Sequence, residues 1–295
     1  MMAPLPSDLE EVLGDLGRCI QALGPYTQTA VLTGGLAALL YRWCLPGTGV
    51  GRPPLMTFDM DWAFPPRIEI PGVGLHKRME LGGFKPWLQG AGKDPVTYYQ
   101  HERHGTDRLA PIHVEFIAPR TGSKTDRSGK NLGIIEIEPG LHAQTDPYIG
   151  LLLVENLTVD VSRVPATGLS QPQVIRLPHP ICYVVQKILI RHRREPHKQA
   201  GDAAHIYDVA LLTRDMWPQM ADVLARIATS RSFPPRWFVR ARQTMGDVFL
   251  RPDALGPTEI ADIYRSIMGP TAAPTEAAIS RVFKQFSEAT DLLSH

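Results

Sequence analysis

Apolar positions recur with a helical period at both ends of the chain and with a period of two in the middle of its first half. Leu9, Val12, Leu13, Leu16, Ile20 and Leu23 stand three or four apart, which predicts an amphipathic helix. Ser7 and Glu10 match a capping box at its start, and Gly24-Pro25 ends it. Residues 29–32 read as a buried strand that stops at Thr33-Gly34-Gly35. Residues 36–44 read as a helix, followed by a loop rich in proline and glycine. Met56, Phe58, Met60 and Trp62 then alternate with Thr57, Asp59 and Asp61. Successive side chains of a strand point to opposite faces, so this run has one apolar and one acidic face. Ile112, Val114 and Phe116 alternate in the same way with His113 and Glu115. Residues 75–90 are ambiguous between the two periods. Residues 96–100 suit a further strand, 121–131 an exposed loop, and 133–137 and 151–161 two more strands.

From residue 178 the period changes to helical. Six helices are predicted, over 179–193, 198–212, 217–229, 235–249, 257–267 and 274–293. The pattern therefore predicts an α+β half over 1–178 and a helical domain over 179–295. In the first of these helices Ile181, Val184, Val185, Ile188 and Leu189 form the expected buried stripe. Tyr183, Lys187, Arg191 and Arg194 line another face.

Composition narrows the class. A chain of 295 residues with 43% hydrophobic content can bury a core, which excludes a disordered protein. The formal net charge of +1 argues against a generic polyanion binder. Residues 186–251 nevertheless hold 12 Lys and Arg against 6 Asp and Glu, a local basic excess. Three distant cysteines, Cys19, Cys44 and Cys182, support neither a zinc ribbon nor a redox pair and read as free thiols. No signal peptide and no membrane span are visible, so a soluble, cytoplasmic protein is expected.

The chemistry rests on carboxylates and glycines. An Asp-x-Asp pair alone says little, since 17 aspartates in 295 residues yield about one such pair by chance. Asp59 and Asp61, however, share the polar face of an otherwise apolar strand. Like charges so close are tolerated best with a cation between them. Glu115, on the polar face of another strand, would complete an all-oxygen set suited to Mg²⁺ or Mn²⁺. Gly34 and Gly35, at a strand-to-helix junction, let a backbone approach phosphates. The turn is neither a Walker A loop nor a dinucleotide fingerprint. His101 and His104 lack acidic support and read as surface residues. His192, His197 and His205 show no ligand pattern, and Arg231, Arg236, Arg240 and Arg242 read as solvated helix faces.

Taken in order, the strand, Gly-Gly turn, helix, Thr-x-Asp-x-Asp strand and later carboxylate resemble the DNA polymerase β-type nucleotidyltransferase superfamily. The Lys187…Arg191…Lys198…Asp202 segment looks like the one that follows the catalytic half in AbiEii/AbiGii-type toxin nucleotidyltransferases. The likeness spans roughly residues 28–64 and 110–212. It implies a mixed sheet with flanking helices and a C-terminal helical domain. It also implies a metal-dependent enzyme that moves NMP from an NTP to a hydroxyl. By this likeness Asp59, Asp61 and Glu115 bind Mg²⁺ or Mn²⁺, and Thr33, Gly34 and Gly35 hold phosphates. Lys187 and Arg191 neutralise the triphosphate, while Lys198 and Asp202, four apart and able to pair, position nucleotide or acceptor. The implied acceptor is a tRNA 3′ end, a protein or a small molecule, and a cognate antitoxin is an implied partner. The other reading is a catalytically silent nucleotide-binding or interaction module of the same fold. A plain scaffold would hold its carboxylates far apart. The gap from Gly35 to Asp59, the Gly-Gly turn and the glutamate as third acid depart from the commoner pattern.

Overall fold

The computed structural model describes residues 5–45, 52–69, 72–89, 96–101, 112–120 and 133–294. The expected loop over 121–131, and His104 with it, lies outside these residues. The chain divides into two compact units. The first comprises Met1–Cys44 and Met56–Pro178, the second Leu45–Leu55 and His179–His295.

The first unit is built on a mixed sheet. Its strands are β1 (Val31–Thr33), β2 (Asp59–Ala63), β3 (Phe84–Gln89), β4 (Val96–His101), β5 (His113–Pro119), β6 (Ile134–Glu138), β7 (Leu141–Asp146), β8 (Asn156–Asp160) and β9 (Val174–Pro178). Their order is β3-β4-β5-β2-β1-β9-β8, with β7 joining the far half of β5 and β6 joining β7. β2 and β5 run parallel, with Asp61 opposite Glu115 and Asp59 opposite His113. β1 runs antiparallel to β2, with Thr33 opposite Asp61.

Four helices accompany this sheet: α1 (Ser7–Leu23), α2 (Gly34–Cys44), α3 (Leu75–Leu81) and α4 (Ile149–Val154). α1 buries its predicted stripe, Leu9, Val12, Leu13, Leu16, Ile20 and Leu23. The capping box does not form. Pro6 holds the N-cap position and Ser7 is already helical, its hydroxyl 3.3 Å from Asp8 Oδ1. Glu138, from β6, caps α3 by accepting the Leu75 amide at both carboxylate oxygens, 3.0 and 2.7 Å away. The ambiguous stretch 75–90 is thus α3 followed by β3.

The expected strand over 151–161 is corrected. Its first residues form α4, whose Ile149 and Leu152 pack on Val31 and Ala63. Only Asn156–Asp160 is strand. Leu151 to Val154 is an apolar run, and such a run suits a buried helix as well as a buried strand. β7 and β9 carry charged and polar residues among the apolar ones, which hid them from a pattern search.

The second unit is helical: α5 (Pro180–Ile190), α6 (Pro196–Leu212), α7 (Trp217–Thr229), α8 (Pro235–Phe249), α9 (Leu255–Met268) and α10 (Glu276–Ala289). α5 is buried on every side, by α6, α7 and α8. Its expected polar face therefore does not exist: Tyr183 and Lys187 are as buried as the apolar stripe. Arg52, from the crossover segment, lies over the rings of Tyr207 and Tyr264, 5.1 and 5.6 Å from their centroids. Tyr264 in turn donates its hydroxyl proton to Asp208. Among the described residues no helix is long and apolar enough to cross a membrane.

Candidate active site

Register assembles the acidic site within the first unit. Trp87 is paired with Tyr98, Tyr98 with Glu115, Glu115 with Asp61, and Asp61 with Thr33. Paired residues point to the same face of a sheet. These five side chains therefore form one row across β3, β4, β5, β2 and β1. A second row, Lys85, Gln100, His113 and Asp59, runs beside it on the same face. Farther along the strands α4 covers this face at Val31, Ala63 and Ile117. The opposite face is core: Met60, Trp62, Val114 and Phe116 are fully buried, and Tyr99 packs against Phe116.

Asp59 is exposed, whereas Asp61 and Glu115 are half-buried and Thr33 is buried. The turn after Thr33 is shaped by Gly34, whose φ of +66° is a left-handed value that suits glycine. A Cβ at Gly34 would collide with the Asp61 carboxylate. The Gly-Gly turn and the paired aspartate are thus in direct apposition, 27 residues apart in sequence.

The carboxylates perturb one another. Glu115 is pushed up to about 8, first by loss of water, then by the charge of Asp61 and, more weakly, of Asp59. It is hydrogen-bonded to Asp61 and to Tyr98, and the Tyr98 bond opposes the rise. Gln144 on β7 donates to the Tyr98 hydroxyl, 2.7 Å away. Two carboxylates held this close need either a shared proton or a cation. Among the described residues, no three His, Cys, Asp or Glu side chains are already gathered as a metal cluster. The donor chemistry nevertheless fits a hard divalent cation, since every acid in the row offers oxygen and their repulsion is relieved by positive charge.

The remaining candidates belong to the second unit. Lys187 is 5% exposed and donates to Asp202 Oδ1 at 2.6 Å. Arg194 Nε donates to the other oxygen of Asp202 at 3.2 Å. Burial would raise the Asp202 carboxyl, but Lys187 and Arg194 outweigh it and hold the group below its usual range. Arg191 is buried and donates to Glu259 Oε2 at 2.6 Å and to the Gln199 carbonyl at 2.9 Å. The expected pairing of Lys198 with Asp202 is corrected. Asp202 faces back to α5, and Lys198 is exposed. The basic stripe read from the sequence is thus neutralised within its own unit, because α5 has no solvent face on which to display it. His205 is pushed down to about 4 by burial and by the Lys187 charge. His101 is not a plain surface residue either: it packs on Phe84, and its Nδ1 is 3.6 Å from the buried Asp15. Arg231, Arg236 and Arg240 are exposed on the second unit, as a solvated face requires.

Sequence reasoning missed Trp87, Tyr98, Gln100 and Gln144. The alternation in 96–100 places Tyr98 and Gln100 on one face of a strand. Only the pairing of β4 with β5 shows that this face is the acidic one.

The mixed sheet, the Gly-Gly turn and the carboxylate row are those expected of a nucleotidyltransferase family. The chain belongs to that family: a family model described as nucleotidyltransferase matches residues 11–229, well over half of its length. An antigenic nucleotidyltransferase-like protein from Paracoccidioides brasiliensis is similar at 16% identity and a TM-score of 0.39, over 81% of this chain and 95% of that one. The nucleotidyltransferase toxin MenT4 from Mycobacterium tuberculosis H37Rv is similar at 16% identity and a TM-score of 0.35, over 97% of this chain and 93% of that one. At such scores neither likeness extends to individual residues. Comparison with curated proteins gives no match.

Proposed function

We propose that this protein transfers a nucleoside monophosphate from an NTP to an acceptor hydroxyl and releases pyrophosphate. The observation that carries this is the contact of the Gly34 turn with Asp61, itself paired with Glu115. Family membership is independent support. In the transfer, the bond from the acceptor oxygen to the α-phosphorus forms as the bond to the pyrophosphate oxygen breaks.

Asp59, Asp61 and Glu115 would hold Mg²⁺ or Mn²⁺. When bound, the ion supplies charge neutralisation for the triphosphate and makes an attacking hydroxyl more acidic. The Gly34-Gly35 turn, buried against Asp61 at the start of α2, would offer backbone amides to the phosphates. Alternatively to ligating the ion, Glu115 would receive the hydroxyl proton, with its hydrogen bond from Tyr98 to orient it. Lys187 and Asp202 serve the fold of the helical unit, as their burial and mutual pairing favour.

The test is transfer of label from each α-labelled NTP to total RNA, protein or small-molecule extract with Mg²⁺ or Mn²⁺. Wild-type protein should transfer label, and Asp59→Ala and Asp61→Ala should lose at least about a hundredfold in rate. Labelling that is absent, or that survives both substitutions, would refute the proposal. NTP binding without pyrophosphate release would instead favour the silent binding module.

A further inference from the structure

The acidic row does not end at Glu115. It continues through Tyr98 to Trp87 on the outer strand β3. Trp87 leaves 42% of its surface exposed on this face. Its ring is propped rather than loose. It packs against Tyr98 with centroids 5.9 Å apart at 51°, and edge-on against His113 at 5.8 Å and 73°. His113 is itself held, with its Nε2 3.1 Å from Gln100 Nε2. Tyr98 is held by Gln144. The result is a braced aromatic ledge with Lys85 beside it on the same strand face.

Position gives the ledge a meaning. Across the row the order is Trp87, Tyr98, Glu115, Asp61, Thr33, and Gly34 follows Thr33. The ledge and the Gly-Gly turn therefore lie on opposite sides of the carboxylates. Strands are about 4.8 Å apart, so Trp87 stands roughly 10 Å from the Glu115 strand and about twice as far from the turn. If the turn holds the leaving pyrophosphate, the attacking hydroxyl approaches from the ledge side, because attack and departure occur on opposite sides of the phosphorus. A nucleoside whose base rests on Trp87 and reaches over Tyr98 would bring its ribose toward Glu115.

We infer that Trp87, braced by Tyr98 and His113, is a stacking ledge for a nucleobase of the acceptor. The acceptor is then the end of a single-stranded nucleic acid rather than a protein side chain. Every base has a π-face, so such a ledge binds with little regard to sequence. This inference rests on the transferase reading for its orientation. The stacking itself needs neither metal nor transfer.

The experiment exploits that separation. Binding of a fluorescent single-stranded oligoribonucleotide with a free 3′ hydroxyl is measured by anisotropy in EDTA. Trp87→Ala should weaken binding at least about fivefold, and Trp87→Phe should retain most of it. An otherwise identical oligonucleotide with an abasic 3′ end should bind wild type and Trp87→Ala alike. NTP binding, measured by calorimetry with Mg²⁺, should be unchanged in Trp87→Ala. Retention of Phe but not Ala separates stacking from a folding defect, and thermal melting of each variant verifies the fold. The ledge is overturned if wild type binds no oligonucleotide, if Trp87→Ala binds as tightly as wild type, or if the abasic end is weakened equally. Loss of NTP binding in Trp87→Ala overturns the assignment to the acceptor. Oligonucleotide binding with this pattern, in a protein that transfers no label, would keep the ledge and sink the transferase reading.

Discussion

Glu115 is the residue on which the acidic site turns. Its carboxyl keeps a proton up to about 8 in the folded chain, against an ordinary value of 4.5 when unfolded. Between those values the folded state binds more protons than the unfolded one. Stability of the metal-free protein must therefore fall as pH rises from about 4.5 to about 8. The loss should amount to about 2–4 kcal/mol, and Glu115→Gln should flatten that part of the profile. Thermal melting in EDTA across this range reads both effects. Adding Mg²⁺ or Mn²⁺ should raise the melting temperature more at pH 8 than at pH 5, because the ion replaces the proton that relieved the repulsion. A profile that is flat in wild type would mean that Asp61 and Glu115 do not share a site.

At the scale of elements, the second unit joins α5 to α6 by a buried ion pair. Lys187 and Asp202 are 5% and 7% exposed, and neither can find water if its partner goes. Lys187→Met should cost about 3 kcal/mol, since it leaves Asp202 with Arg194 alone. Combining it with Asp202→Leu should restore stability to within about 1 kcal/mol of wild type, because Arg194 is 35% exposed and can turn to solvent. Urea denaturation of the two single variants and the double variant measures the coupling. Additive costs would show that the pair is not a unit. α5 also explains why the basic stripe was misread. Lys187, Arg191 and Arg194 follow one another at spacings of four and three, which on most helices marks the solvent side. Here the unit packs helices on all sides of α5, and acids from α6 and α9 meet the cations instead.

In the whole molecule, the chain leaves the first unit after Cys44, counts Leu45–Leu55 with the helical unit, and rejoins the first unit at Met56. Arg52 is the anchor of that excursion, stacked on Tyr207 of α6 and Tyr264 of α9. Arg52→Ala should destabilise the helical unit by about 1–2 kcal/mol. Hydrogen exchange should quicken in α6 and α9 while β1, β2 and β5 keep their protection. Equal quickening in the sheet strands would show that the excursion supports both units.

The local matters were legible along the chain. Alternation in Met56–Trp62 and Ile112–Ile117 placed Asp59, Asp61 and Glu115 on polar strand faces, and the glycine pair marked a turn. Helical spacing located all six helices of the second half to within a few residues. These are legible because period and turn chemistry depend only on neighbours along the chain. The partners were decided by tertiary structure. That Glu115 faces Asp61 and Tyr98, that Gly34 touches Asp61, and that Trp87 closes the row all follow from strand register, which no single strand encodes. Likewise Lys187 and Asp202 show helical spacing to any reader, but whether a charge meets water or a buried acid depends on what packs around the helix. Charges and rings act through distances across the fold, and those distances are set only when the strands pair and the helices close around α5.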